Sequence, residues 1–148
     1  MLPISNPTSK AEAMPADVLA WSYGTALVAA GISVAPAEYG GTTHTFGQAN
    51  NFLVFPGLGL GVKAAGAARV TKAMLAAAAR AVASQVDVSA AGAPILPDVA
   101  SLRELSAVVA QAVCAAAISD GVATEKHDDV SKAIRQIMWI PAYRRVTS

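Results

Sequence analysis

Met1-Leu2-Pro3-Ile4-Ser5-Asn6-Pro7 and, further on, Thr25-Ala26-Leu27-Val28-Ala29 decide how this chain is read. Each is a short apolar run. The first ends at Asn-Pro, a turn-initiating pair, and Pro cannot continue a central strand. A strand is therefore expected that stops at Ser5 or Asn6. The second run is continuously apolar rather than alternating, as strands buried on both faces of a parallel sheet are. Between the two, a helix is expected with Pro15 at its first position and Gly24 just past its end. Val18, Leu19 and Ser22 form its inner stripe. Strand, helix, strand is the βαβ unit of an α/β fold.

Outward from this unit, Ala37-Glu38-Tyr39 and Thr42-Thr43-His44-Thr45 flank Gly40-Gly41, which reads as a small hairpin. A helix is expected across residues 51–67, bent or started afresh near Pro56. Thr71 is placed to cap a helix over 73–84, and a loop with Gly92, Pro94 and Pro97 follows. Ser101-Leu102-Arg103-Glu104 has the capping-box pattern. Beyond it Leu102, Leu105, Val109, Ala112 and Ala116 fall on one helical face. Gly121 ends that helix. A last short helix over 128–138 carries Asp128 and Asp129 at its start, and Pro141 stops it. The organisation is thus strand–helix–strand over 1–30, a hairpin and Asn-Asn segment over 34–67, and a helical tail over 71–148. Two strands do not make a stable sheet, and a parallel sheet needs both faces covered. The expectation is the later part of an α/β domain whose earlier strands are not in this sequence.

Composition narrows the functional classes. Of 148 residues, 54% are hydrophobic and only 14% charged, which excludes intrinsic disorder. A single cysteine, Cys114, excludes a disulfide scaffold and fits a reducing compartment. A net charge of +1 gives no basic field for nucleic acid or an acidic membrane. The mean hydropathy of +0.45 raises a membrane-spanning reading. The uncharged stretch over 39–62 is nonetheless rich in Thr, Asn and Gln. Its apolar run over 52–62 is about half the ~20 residues a spanning helix needs. No basic and apolar leader is visible at the start, so a cytoplasmic protein is expected.

Few residues form a chemical constellation. Gly57-Leu58-Gly59-Leu60-Gly61 fails as a dinucleotide fingerprint. Its third glycine falls at Val62, no clean strand precedes it, and no acid follows about twenty residues on. Small residues that let a helix approach a neighbour closely explain it better. No metal-ligand spacing and no nucleophile–histidine pattern is present. Cys114 reads as a buried structural thiol, and Arg144 and Arg145 as a solvated tail. The asparagines are more telling. Asn6 sits where a strand ends, and ligands of open α/β sheets bind outside the carboxyl ends of strands. Asn50 and Asn51 sit at a helix start, where free N–H groups favour anions. A carboxamide both donates and accepts, so it holds a carboxylate and a hydroxyl without adding charge. Adjacent helical residues point about 100° apart, so one of the pair can bind while the other caps. Position alone equally allows all three to be cap and turn residues.

At these residues the chain resembles a known family. Pro3-Ile4-Ser5-Asn6-Pro7-Thr8-Ser9-Lys10-Ala11-Glu12, Gly47-Gln48-Ala49-Asn50-Asn51 with Phe55-Pro56-Gly57-Leu58-Gly59-Leu60-Gly61, and Trp139-Ile140-Pro141-Ala142-Tyr143-Arg144 are similar, in order and spacing, to the carboxyl-terminal part of malic enzymes. The resemblance implies a Rossmann-type domain. It implies oxidative decarboxylation of malate to pyruvate and CO2 with NAD or NADP and Mg²⁺ or Mn²⁺. It implies that Asn6, Asn50 and Asn51 contact the substrate, and that Asn6, Asn50 and Gly31 contact the cofactor. The family's Ser/Thr-Gly-Ser-Pro turn is replaced here by Ala30-Gly31-Ile32-Ser33-Val34, so two hydroxyl contacts near the cofactor are not carried over. The family's catalytic Tyr and Lys, its metal ligands and its glycine fingerprint lie before the matched region, so no catalytic residue and no metal ligand is assigned in this chain. The chain alone is expected to be inactive. Its expected partners are malate or pyruvate, the remaining N-terminal part of the enzyme, and further copies in a homo-oligomer. A malolactic enzyme segment, or a non-catalytic piece docking on full-length subunits, is the alternative.

Overall fold

The computed structural model describes residues 1–140. Pro141, Arg144 and Arg145 therefore lie outside the described residues. The α/β expectation holds: a small parallel sheet is followed by packed helices. Helix α1 spans Pro15–Trp21 with Pro at its first turn, and buries Val18 and Leu19. Strand β1 is only Ala29–Ala30, shorter and later than the apolar run suggested. It pairs in parallel with β4, Gly47–Gln48, in the register Ala29↔Gly47 and Ala30↔Gln48. Sequence reading missed β4, because Gly-Gln carries no apolar signal and becomes a strand only through its partner.

The expected first strand is extended but not a regular strand. The Ala29 N–H donates to the Met1 carbonyl at 3.2 Å and the Gly31 N–H to the Pro3 carbonyl at 2.9 Å. The terminal amine of Met1 donates to the Leu27 carbonyl. This is a parallel ladder with one rung missing, because Pro3 has no N–H to return. Three extended rows thus lie side by side: residues 1–5, β1 and β4. The hairpin forms as expected, with β2 (Ala37–Tyr39) antiparallel to β3 (Thr42–His44). Gly40 and Gly41 both have positive φ, 57° and 77°, as a two-residue turn of this hand requires.

The helical part forms the larger core. A single 3₁₀ turn, Asn51–Leu53, precedes α2, Phe55–Ala65, so the helix does restart next to Pro56. Helix α3, Lys72–Ala83, is capped by Thr71, whose hydroxyl accepts from the Met74 N–H at 3.2 Å and donates to Asp120 Oδ2 at 2.5 Å. Helix α4, Leu102–Ser119, packs against both α2 and α3. Its buried residues are Leu105, Ser106, Val109, Ala110, Val113, Cys114 and Ala117. Of the expected stripe, Leu105 and Val109 are fully buried, and Leu102, Ala112 and Ala116 are partly buried and pack against the core at its margin. The reason is geometric: α4 is covered on two sides, so its buried face is wider than one stripe and rotated from it.

Ser101 stands at the cap position of α4, as expected, but without a side-chain capping bond. Asp98 accepts from the Ala100 N–H at 3.0 Å and starts a 3₁₀ turn, Val99–Ser101, ahead of α4, and Ser101 instead donates to the Asp98 carbonyl. By length and composition the segment Val99–Ser119 is long and apolar enough to cross a membrane. Here it is the central helix of the core. Helix α5, Val130–Ile137, begins at Asp129, which caps it through the Lys132 N–H at 2.9 Å. Cys114 is free and buried, and burial pushes its thiol pKa up.

The paired glycines of α2 explain how tightly it lies on α4. A Cβ on Gly57 would sit 2.5 Å from Val109 Cβ and 2.8 Å from the Ser106 carbonyl oxygen. One on Gly61 would sit 2.6 Å from the Ala110 carbonyl oxygen, whereas Gly59 points into open space. The glycines are spacers for helix packing, as the sequence suggested. At its far end α2 is closed by the chain after α4. The Thr124 and Glu125 N–H groups reach the Ala65 carbonyl, and His127 Nε2 meets the Ala64 carbonyl at 2.7 Å.

Candidate functional site

The three extended rows run in the same direction, so their carboxyl ends lie along one edge. Asn6 follows the first row, Gly31 follows β1, and Asn50 follows β4. The rows are tied at that edge by two backbone bonds. The Gly31 N–H meets the Pro3 carbonyl, and the Ala49 N–H meets the Ala30 carbonyl at 2.7 Å. Residues far apart in sequence are thereby brought together where an open α/β sheet binds its ligand.

Each position has a local cause. Gly31 is buried, and a Cβ there would collide with the Ile4 carbonyl. Only a residue without a side chain lets the first row close on β1. Asn50 is extended, with φ −145° and ψ 153°, and its side chain accepts from the Phe52 N–H at 3.3 Å. It is the cap of the 3₁₀ turn that leads into α2. Its side-chain NH2 group has no partner among the described residues. Asn51, the first residue of that turn, is exposed, as is Asn6.

Two contributors escaped sequence reading. Glu12 grips the loop that carries Asn6. Its Oε1 accepts from the Ser5 hydroxyl at 2.6 Å and its Oε2 from the Ser5 N–H at 3.1 Å. The Ser5 hydroxyl is the main cause that holds the Glu12 carboxyl below the usual carboxylate range; backbone N–H groups of Glu12 and Ser5 add to it. The signal was present as an acid seven residues after a strand-end serine. The second contributor is Gln48, whose Nε2 donates to the Gly31 carbonyl at 3.3 Å.

The depressed Glu12 pKa has a signed consequence. Its hydrogen bonds are fully present above the ordinary Glu pKa and are lost as pH falls through the lower, folded value. In an NMR titration the Ser5 and Asn6 amide signals should hold steady down to the ordinary Glu range and move only below it. Glu12→Gln should abolish that step. Movement of the wild-type signals at or above the ordinary Glu pKa would count against the grip.

Among the described residues, no three His, Cys, Asp or Glu side chains cluster as a metal would require. A separate cleft, lined by Tyr23, Thr25, Tyr39, His44 and Phe46, lies toward the opposite ends of the rows and contains none of the asparagines. The carboxyl-end edge, with its carboxamides and a glycine, is the edge along which an open α/β sheet binds its ligand.

Comparison with known proteins narrows that class. The family model described as malic enzyme, NAD-binding domain, matches residues 1–118. The putative malate oxidoreductase [NAD] of Mycobacterium tuberculosis is 57% identical over 143 residues, covering 97% of this chain and 26% of that protein. The malolactic enzyme of Lactococcus lactis is 41% identical over 143 residues, again 97% of this chain and 26% of that protein. The crystal structure of malic enzyme from Pyrococcus horikoshii superposes with a TM-score of 0.68 at 30% identity, over 91% of this chain and 27% of that one. The chain belongs to the malic enzyme NAD-binding domain family, within the oxidoreductases. It spans about a quarter of the length of the curated relatives it matches.

Proposed function

We propose that this chain supplies the carboxamide wall of a site that oxidatively decarboxylates malate to pyruvate and CO2 with NAD or NADP. It does so as one segment of a longer, oligomeric polypeptide in the cytoplasm. The observation that carries this reading is the convergence of Asn6, Gly31 and Asn50 at the carboxyl ends of three parallel rows. Asn50 and Asn51 hold the malate carboxylate through side-chain NH2 donors at the start of the α2 segment, where backbone N–H groups also favour an anion. Asn6 faces the substrate from the first row. Gly31, at the carboxyl end of β1, lies where the nicotinamide end of the cofactor, which accepts the hydride, approaches the sheet edge. Carboxamides suit this task because they orient charged and hydroxyl groups without a charge of their own.

The described residues do not fit a divalent ion, so Mg²⁺ or Mn²⁺, the Tyr and Lys acid–base pair and the glycine fingerprint belong to the rest of the polypeptide. The outer edge of the first row supports such a continuation. Leu2 and Ile4 are 59% and 54% exposed, and Leu27 beside them 68%. An apolar, unpaired strand edge of this kind invites a further strand.

The test is reconstitution. The pure chain, given malate, NAD or NADP and Mg²⁺ or Mn²⁺, should release no NADH or NADPH. The same chain in place of the matching quarter of the Mycobacterium tuberculosis relative should release the reduced cofactor and pyruvate. Turnover by the pure chain would refute the division of the site. Lactate without free reduced cofactor would assign the malolactic reading, for which the Lactococcus lactis enzyme, at 41% identity against 57% for the malate oxidoreductase, is the relevant relative. Binding to the remaining polypeptide with no turnover at all would assign the non-catalytic docking role.

A further inference from the structure

We propose that Gln48 is a positioning residue for the asparagine crevice, holding the ends of β1 and β4 at a fixed separation; its effect on malate rests on the function proposed above. The backbone ladder between these strands ends where the Ala49 N–H meets the Ala30 carbonyl at 2.7 Å. One step further, the chain after β1 bends away at Gly31 and the chain after β4 turns into the Asn51–Leu53 3₁₀ turn. No backbone bond bridges that divergence. The Gln48 carboxamide does so instead, donating from Nε2 to the Gly31 carbonyl at 3.3 Å.

Gly31 is in turn fixed on its other side. Its N–H reaches the Pro3 carbonyl at 2.9 Å, and its bare Cα faces the Ile4 carbonyl. Gln48 therefore links the strand that carries Asn50 to the glycine, and through it to the row that carries Asn6. A neutral donor is what the place needs. The Gly31 residue is buried, and a buried carbonyl that loses its donor is costly. Among the described residues no charged side chain hydrogen-bonds to Gln48 or Gly31.

Substitution by chemistry separates positioning from bulk. Gln48→Met keeps the shape and removes the donor. Gln48→Glu sets a carboxylate against the carbonyl at neutral pH and regains an O–H donor when protonated. In ¹⁵N-labelled chain, the Ile32 amide and the Asn50 side-chain NH2 signals of Gln48→Met should be displaced at every pH. Those of Gln48→Glu should be displaced at neutral pH and return toward wild type as its carboxyl protonates. Unchanged Val109 and Val113 signals establish that the core is intact. Should either variant fail to fold, the wild-type chain decides: the Gln48 NH2 protons should exchange with solvent more slowly than those of exposed Gln136. Variant signals that overlay wild type at neutral pH, or equal exchange at the two glutamines, would overturn the proposal.

In the reconstituted enzyme, Gln48→Met should raise the KM for malate about fivefold to tenfold with a smaller change in kcat. Gln48→Glu should recover its KM at acid pH. A fall in kcat alone would point to a different role for Gln48. If the wild-type reconstituted enzyme does not oxidise malate, the function proposed above fails, while the NMR readout still decides the place of Gln48.

Discussion

Adding one methyl at Gly57 should lower the melting temperature by roughly 2–8 °C, whereas the same change two residues on, at Gly59, should raise it. Both glycines sit in α2, and in both cases alanine gains helix propensity, about 1 kcal/mol. At Gly59 nothing lies within 4 Å of the new Cβ, so that gain stands alone. At Gly57 the Cβ meets Val109 Cβ at 2.5 Å and the Ser106 carbonyl at 2.8 Å. Neither can be relieved by turning a flexible side chain, because one is at the root of its side chain and the other is backbone. The helices must part, and overpacking of this kind costs about 1–3 kcal/mol or more. Circular dichroism melts of the two variants test the point. Shifts of the same sign would mean that α2 and α4 are not in close contact at Gly57.

The second large effect is on substrate. Asn50→Asp should leave the melting temperature almost unchanged yet reduce kcat/KM for malate at least about 100-fold in the reconstituted enzyme. Asp is as good a cap as Asn, so the bond from the Phe52 N–H survives. The NH2 donors do not survive. A carboxylate takes their place, and it repels the carboxylates of malate. Asn50→Ala makes the complementary loss, removing cap and donors together, and should destabilise as well as disable. If Asn50→Asp turns malate over as wild type does, Asn50 only caps its turn and the substrate is held elsewhere.

Local chemistry was legible in the sequence and long-range pairing was not. Pro15, Gly40-Gly41, Pro56 and Thr71 each act through their own backbone or the next turn, and each was read correctly. Strand β4 was invisible because two residues, Gly47 and Gln48, have no pattern of their own; β1 makes them a strand. The Ser101 cap position was read correctly, but its hydroxyl makes no capping bond because it donates back to the Asp98 carbonyl at the start of the preceding 3₁₀ turn. The width of the buried α4 face was misjudged because a sequence shows that a helix is apolar but not how many neighbours cover it. In the site, Asn50 was legible as a residue at a helix start, and Asn6 as one at a strand end. That Gly31 lies between them, that Gln48 spans the gap and that Glu12 holds the loop are consequences of tertiary contacts.

The two sides of the crevice differ in how they are anchored. Asn50 and Asn51 stand at the 3₁₀ turn that leads into α2, about 16 Å of helix whose Gly57 and Gly61 are pressed onto α4 and whose tail is bound by Thr124, Glu125 and His127. That turn is joined directly to a helix packed into the core, with Leu53 buried in it. Asn6 stands on an edge row with a missing rung at Pro3, held by a few backbone bonds and an exposed glutamate. Such an edge opens at far lower free energy than a core helix. The crevice thus has one stiff jaw and one soft jaw. On the function proposed above, malate meets the asparagine pair already in place, and its binding energy draws the Asn6 side in.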